Sequence, residues 1–388
     1  MSSTPVMDRL IRRTVQLSLP LNVHFDLTYR CNERCVHCYL DHEDHGELTT
    51  SEVLSVLDQL AGAGTLFLTF SGGEIFLRKD LFEILEYARR LGFDLSLKTN
   101  ALLVDASRAE KLRELGVRRV QVSIYSAEPA VHDAVTKVKG SLERSIAAIR
   151  SLKRQGLQVK IACPLMKQNL ASYGGVVNLA EDLGVPYVID MTITPKMDGD
   201  TSTLSLRTSG SDLLPIIQSR SCSNRSSAPD ALSSAGAPQG SVVSSGVEIS
   251  AYDDLTCSAG HNSCYISPYG DIYPCVQMPL PTGNLRRQQF QEIWRDSGEM
   301  KRIRAIRESQ LHVCSTCEIR QFCERCPGLA MMEGGDLMGP YERACELAEL
   351  SARQAGVANP VSAWHRRPEG ALPGVIPAGK VAAAHART

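Results

Sequence analysis

Three cysteines within eight residues constrain this chain more than any other feature. They are Cys31, Cys35 and Cys38, in the run Asp26-Leu27-Thr28-Tyr29-Arg30-Cys31-Asn32-Glu33-Arg34-Cys35-Val36-His37-Cys38-Tyr39. The loops between them are so short that the thiols can converge on one metal centre. Iron–sulfur clusters usually take four cysteines, so a set of three leaves one iron open to an outside ligand. An open position marks a reactive metal site, as it does for zinc. A zinc site or a set of plain buried thiols remains open as an alternative on the triplet alone.

A second group lies far along the chain. Cys257, Cys264 and Cys275 come first, then Cys314, Cys317, Cys323 and Cys326, and finally Cys345. Cys-x2-Cys spacing also suits zinc knuckles, so zinc stays open here too. Taken together, the two groups carry a resemblance. Cys-x3-Cys-x2-Cys resembles the signature of the radical S-adenosylmethionine (SAM) superfamily. The C-terminal order resembles a SPASM domain, the auxiliary-cluster module of many radical SAM enzymes that modify peptides. It has Gly270-Asp271-Ile272-Tyr273-Pro274-Cys275 ahead of Cys-x2-Cys-x5-Cys-x2-Cys. One interval departs from the commonest form, since two residues rather than three separate Cys323 and Cys326. The resemblance implies a SAM-binding 4Fe–4S cluster on Cys31, Cys35 and Cys38 and two auxiliary 4Fe–4S clusters with interleaved ligands. Cys257, Cys264, Cys275 and Cys326 would hold one; Cys314, Cys317, Cys323 and Cys345 would hold the other. Of the 13 cysteines, Cys163 and Cys222 are left over. Cys163 ends an apolar strand-like run and reads as a buried thiol; Cys222 lies in a polar stretch with no evident role.

Composition removes several function classes. The 388 residues allow a large catalytic domain and a smaller second one. Lys plus Arg total 42 against 43 for Asp plus Glu, so no global field draws nucleic acid or an anionic membrane. No apolar run approaches the roughly 20 residues of a membrane span. Arg9, Arg12 and Arg13 precede an apolar stretch broken by Gln16, Asn22, His24 and Asp26, which is not a signal peptide. Thiols arranged for metals without an export signal point to the reducing cytoplasm.

From Leu21 to about Thr194, short β-like runs alternate with helical periodicity, the pattern of a parallel sheet built from βα units. The predicted strands are Leu21–Leu27, Leu66–Phe70, Asp94–Lys98, Arg119–Ile124, Val159–Cys163 and Pro186–Ile193. Helices are expected after Leu48-Thr49-Thr50-Ser51-Glu52 and over Leu81–Leu91, Ala106–Leu115, Leu142–Gln155 and Leu170–Leu183. Six units fall short of the eight that close a TIM barrel, and the resemblance implies an α/β partial (β/α)6 TIM barrel open to substrate. The expected organisation is an N-terminal extension (1–20), the barrel (21–195), a linker or insert (196–250), the SPASM domain (251–350) and a C-terminal tail (351–388). Ser219–Gly246 is rich in Ser, Ala, Gly and Pro and reads as a flexible linker. The tail is expected to be disordered at its end.

Ser71-Gly72-Gly73-Glu74 follows the second strand, where glycines let a backbone approach a ligand closely. The superfamily has Gly-Gly-Glu-Pro here, with backbone and Glu on the SAM amino group; this chain has Ile75 in place of the proline. By resemblance, Gly72, Gly73, Glu74, Asn100 and Ser123 contact SAM. His37 holds a position where the family usually has an aromatic residue near adenine. His132-Asp133 reads as a cap for the following segment, and neither Thr136 nor Lys137 is assigned the role of the basic residue that relatives often place nearby. The catalytic residue that acts on the substrate is not legible.

The resemblance implies reductive cleavage of SAM to a 5′-deoxyadenosyl radical that abstracts hydrogen from a peptide or protein substrate, in maturation of a ribosomally made peptide. Formylglycine formation of the sulfatase-maturase type is an alternative, and a non-catalytic zinc-binding module is one of another class. With about 20 residues before the first strand, leader recognition would need a separate leader-binding protein. The electron donor would be a flavodoxin or ferredoxin.

Overall fold

Along Asn22–Thr28, Asp94–Thr99 and Arg119–Ser123, apolar side chains alternate with polar ones, and the apolar set packs against helices. The computed structural model describes residues 5–223 and 254–366. The six predicted strands form as β1 (Asn22–Thr28), β2 (Phe67–Gly72), β3 (Asp94–Thr99), β4 (Arg119–Ser123), β5 (Gln158–Pro164) and β6 (Tyr187–Asp190). They pair in parallel in chain order. The last stops at Asp190 rather than Ile193, where the Asp190 carboxylate takes the Thr192 N–H at 2.8 Å and turns the chain. Val23, Phe25 and Leu27 of β1, Leu95 and Leu97 of β3, and Val120 and Val122 of β4 face one helix-covered core.

The helices follow the strands as expected. Thr49 and Glu52 form a capping box at the start of Thr50–Gly62. The first turn predicted at Leu170 is a short 3-10 segment, and the α-helix runs over Tyr173–Leu183. Up to the end of β6, two helices escape the sequence reading, Pro5–Gln16 and Pro129–Thr136. From the second, Asp133 accepts the N–H groups of Gly140 (2.5 Å), Ser141 (3.1 Å) and Leu142 (3.3 Å), capping the Ser141–Arg154 helix as its sequence position suggested.

The C-terminal segment does not start a separate sheet. Its first strand, β7 (Ser263–Ile266), pairs in parallel with the other edge of β1. Then β8 (Asp271–Tyr273) and β9 (Gly283–Asn284) add antiparallel. The order is β6-β5-β4-β3-β2-β1-β7-β8-β9, a curved, mostly parallel sheet with two free ends: the partial barrel is open. Cys264, Ile266, Ile272, Phe290, Ile293 and Trp294 join the same core as the barrel strands. Beyond them, the Glu342–Gln354 helix crosses the expected end of the domain at 350. The chain then returns so that Ser362 and Ala363, each 1% exposed, are buried.

Of the stretch read as a flexible linker, Ser219 to Ser223 ends the Gly210–Ser223 helix and the remainder lies outside the described residues, as does the tail beyond 366. Cys163 is buried, as expected. Among the described residues, no helix is long and apolar enough to cross a membrane.

Candidate active site

The loop bearing Cys31, Cys35 and Cys38 leaves the C-terminal end of β1 and is held from two sides. On one side, the Arg34 and Val36 N–H groups donate to the carbonyls of Thr136 and Val135, each at 3.0 Å. Thr136 itself is buried and bonds Ser141 Oγ at 2.8 Å, a packing role. On the other side, Gly73 N–H donates to Thr28 at 2.8 Å and Glu74 N–H to Arg30 at 2.9 Å. A Cβ on Gly72, whose φ is +132°, would stand 2.1 Å from the Thr28 carbonyl oxygen, and one on Gly73 2.3 Å from that of Arg30. The missing side chains thus make room for the backbone of the cysteine loop itself.

The three thiols share a half-buried setting. Asn100 Nδ2 lies 3.8 Å from Cys31 Sγ and donates to Asn32 Oδ1 at 2.7 Å. Cys35 Sγ lies 3.3 Å from Glu33 and 3.7 Å from the Tyr125 hydroxyl. Burial pushes the Cys31 thiol up to about 12 and raises Cys35 and Cys38, and Cys38 acts electrostatically on both of the others. Thiols so placed keep their protons until a cation displaces them, and metal binding supplies that displacement. The donor set fits an iron–sulfur centre. Among the described residues, no three His, Cys, Asp or Glu side chains are gathered to hold a single ion.

Glu74 is fully buried and already engaged. Its carboxylate accepts the Phe76 N–H at 3.1 Å, the Thr99 hydroxyl at 2.8 and 2.9 Å, and the Asn100 N–H at 2.9 Å. It ties the end of β2 to the end of β3 and so sets Asn100 against the cysteine loop. Any contact with a SAM ammonium would come on top of these bonds. Ser123 ends β4, level with Ala162 of β5. His37 packs edge-on against Tyr125 at 5.0 Å, and burial lowers its pKa to about 4, leaving a neutral ring. Its Nδ1 is buried without a partner among the described residues. Such an orphan fits a bound group with a hydrogen bond to offer, as adenine has.

The C-terminal thiols fall into two groups by mutual electrostatic contact. Cys275 acts on Cys257 and Cys264, and Cys326 acts on Cys257 and Cys275. Separately, Cys314, Cys317 and Cys345 act on Cys323, and Cys317 acts on Cys345. Burial is the main cause that raises Cys257 to about 12 and Cys275 to about 11. Gly328 explains the placement of Cys326. A Cβ there would stand 2.1 Å from the Gln277 carbonyl oxygen, so the turn after Cys326 lies directly against the chain leaving Cys275.

A polar network lines the barrel beneath the loop. Buried Asp26 accepts from the Tyr265 hydroxyl at 2.9 Å and faces His24 Nε2 at 3.1 Å. The Tyr265 and Tyr29 hydroxyls meet at 2.7 Å, and the Met197 N–H reaches the Tyr39 carbonyl at 3.1 Å. Burial raises the Tyr29, Tyr39 and Tyr265 pKa values well above 10.0, so these phenols stay protonated.

Comparison with known proteins matches this geometry to a family. The radical SAM superfamily profile matches residues 25–180, and that of an iron–sulfur cluster-binding domain, SPASM, matches residues 257–318. An AdoMet-dependent heme synthase of Methanosarcina barkeri (strain Fusaro / DSM 804) is 31% identical over 334 residues, 82% of this chain and 94% of that protein. This chain belongs to the radical SAM superfamily. A mycofactocin maturase of Mycolicibacterium smegmatis is 27% identical over 367 residues, covering 89% of this radical SAM chain and 88% of its own length. In fold, Streptococcus suis SuiB bound to the precursor peptide SuiA superposes with a TM-score of 0.67 at 18% identity, over 88% of this chain and 80% of that one. As a radical SAM protein with a SPASM domain, it is an enzyme that depends on 4Fe–4S clusters and S-adenosylmethionine.

The sequence reading of this radical SAM site missed its inner wall. Asp26, Tyr29, Tyr265 and Lys98 were not singled out, although polar residues at alternate strand positions, His24 and Asp26, or Ser96 and Lys98, mark a polar inner face.

Proposed function

We propose that this radical SAM/SPASM enzyme abstracts hydrogen from a tetrapyrrole carrying carboxylate side chains. The observation that carries the reading is the 31% identity to a heme synthase across 94% of that relative. In this reading Cys31, Cys35 and Cys38 hold the SAM cluster, with one iron left for SAM. Cys257, Cys264, Cys275 and Cys326 hold one auxiliary cluster, and Cys314, Cys317, Cys323 and Cys345 the other. When bound, the reduced cluster and SAM supply hydrogen-atom abstraction. The chain does the rest. Glu74 fixes Asn100, and Gly72 and Gly73 let the cysteine loop seat against β2. Asn100, Ser123 and the His37 Nδ1 offer polar contacts to SAM, while the buried tyrosines Tyr29 and Tyr265 wall off water. A low-potential flavodoxin or ferredoxin supplies the electron.

A second reading, maturation of a ribosomally made peptide, is supported by the mycofactocin maturase, which matches nearly end to end. Membership in an enzyme superfamily sets aside the non-catalytic zinc module.

The test is anaerobic turnover with SAM and dithionite, counting 5′-deoxyadenosine. Slow formation is expected without substrate. Iron coproporphyrin III, the tetrapyrrole in the name of an Fe-coproporphyrin III synthase that is 33% identical over 169 residues, should accelerate it and change mass. If that compound has no effect while a peptide encoded beside the gene does both, the tetrapyrrole reading falls and the peptide reading takes its place.

A further inference from the structure

The strands bring several inward side chains to one level of the barrel. The register sets Lys98 of β3 beside Gln121 of β4, and Gln121 beside Lys160 of β5. Their sequence neighbours Leu97, Val120, Val122, Val159 and Ile161 lie in the helix-covered core. Alternation therefore turns Lys98, Gln121 and Lys160 to the concave face. Adjacent strands stand about 4.8 Å apart, so the two lysine backbones are about 10 Å apart with the glutamine amide between them. On β1, Asp26 is paired with Ser71 of β2 one strand before Lys98, below the cysteine loop.

Lys98 is an ammonium without a mate. It is half-buried, and its electrostatic neighbours are Asp26, Cys275, Asp190 and Lys160. Among the described residues it makes no hydrogen bond or ion pair. Asp26 has given one oxygen to Tyr265 and the other to His24. Asp190 takes the Thr192 N–H, and Lys160 has a partner of its own. Burial holds the Lys98 pKa below its ordinary value, as expected of a cation whose lost hydration nothing fully replaces. The neighbours Asp26 and Cys275 place it between the cysteine loop and the first C-terminal thiol group, where a substrate would lie.

We propose that Lys98, with Gln121 and Lys160 beside it, forms an anion-binding wall that holds a carboxylate of the substrate beneath the cysteine loop. A carboxylate between two lysines and an amide gains charge-assisted hydrogen bonds and restores a counter-charge to Lys98. The choice of a propionate as that carboxylate rests on the tetrapyrrole reading above; an acidic side chain or a C-terminus would supply the same chemistry from a peptide.

The experiment compares wild type, Lys98→Met, Lys98→Gln, Lys98→Arg and Lys160→Met, each loaded with iron and SAM and matched for iron content and circular dichroism. Iron coproporphyrin III and its tetramethyl ester are titrated by absorbance. The acid should bind at least tenfold more weakly to Lys98→Met and Lys160→Met, and Lys98→Arg should recover most of the loss. The ester should bind wild type and Lys98→Met alike. Lys98→Gln replaces Lys98→Met if the latter fails to load iron. Equal affinity of wild type and the Lys98 variants for the acid would overturn the wall. If wild type binds neither porphyrin, the tetrapyrrole reading fails, and calorimetric titration with glutarate decides the wall separately. Binding to wild type that Lys98→Met abolishes upholds it, and no binding or no difference overturns it.

Discussion

Gly73→Ala tests how tightly the cysteine loop is seated. The new Cβ would lie 2.3 Å from the Arg30 carbonyl oxygen and 2.5 Å from that of Tyr29, where ordinary contact begins at 3.4 Å. Both obstacles are backbone atoms, so no side chain can swing away. The end of β2 and the loop must part by about 1 Å, a small shift that packed interiors still resist. That is enough to take the 2.8 Å bond from Gly73 to Thr28 and the 2.9 Å bond from Glu74 to Arg30 out of range. Overpacking costs about 1–3 kcal/mol, and each buried N–H left without an acceptor costs about 1–3 kcal/mol more. A loss of about 3 kcal/mol or more is expected, a large share of the roughly 5–15 kcal/mol that holds a domain folded. Because Cys31 follows Arg30, iron should be lost as well. The assay is anaerobic urea unfolding together with iron per chain. Gly62→Ala serves as control: its Cβ would meet nothing within 4 Å, and its stability should change by less than about 1 kcal/mol. A Gly73→Ala protein with wild-type midpoint and iron content would refute the reasoning.

Replacing Cys31, Cys35 and Cys38 together with alanine should remove about four irons per chain and abolish SAM cleavage, while visible absorbance from the auxiliary clusters persists. Continued cleavage by that variant would show that the active cluster lies elsewhere. Cys326→Ala should perturb the site with Cys257, Cys264 and Cys275 and spare that of Cys314, Cys317, Cys323 and Cys345; Mössbauer spectra showing the reverse would reassign the ligand. Glu52 bonds Arg286, which holds its carboxyl at about 2 against an ordinary 4.5. A depressed folded-state pKa contributes stability above pH 4.5 that is lost as pH falls towards 2. The pair is more than a third exposed on the Arg286 side, so the contribution is about 0.2–1 kcal/mol, and Arg286→Met should flatten that part of the stability–pH curve.

What could be read before folding was local. The Thr49–Glu52 capping box, the six β-runs and the cysteine spacings are short-range patterns, and each depends on neighbours within a few residues. Pro129–Thr136 escaped because eight residues offer little periodicity to read. The pairing of β7 with β1 escaped for a different reason. Its four residues, Ser263–Ile266, sit among cysteines and find their partner in Asn22–Phe25, so nothing nearby announces a parallel ladder. The lysine and tyrosine lining of the barrel was hidden for the same cause. Alternation marks two faces of a strand, but which face is enclosed becomes known only when the sheet curves. Glu74 shows the limit from the other side: its motif draws notice as a ligand contact, but the bonds of its carboxylate to Phe76, Thr99 and Asn100 depend on β2 and β3 lying side by side and cannot be read from the motif.

The seat of β1 between β2 and β7 also sets an order of events during synthesis. On the ribosome β1 is among the first strands made, yet the chain that covers its second edge follows about 240 residues later. At about 5–20 residues per second that edge stays bare for roughly 10–50 s. An uncovered strand edge is a template for pairing with another chain, and this one carries the loop with Cys31, Cys35 and Cys38 at its end. A nascent chain of this protein therefore passes through a stage in which its reactive thiols and an unpaired backbone edge are presented side by side, and cluster insertion and edge closure compete with aggregation over the same interval.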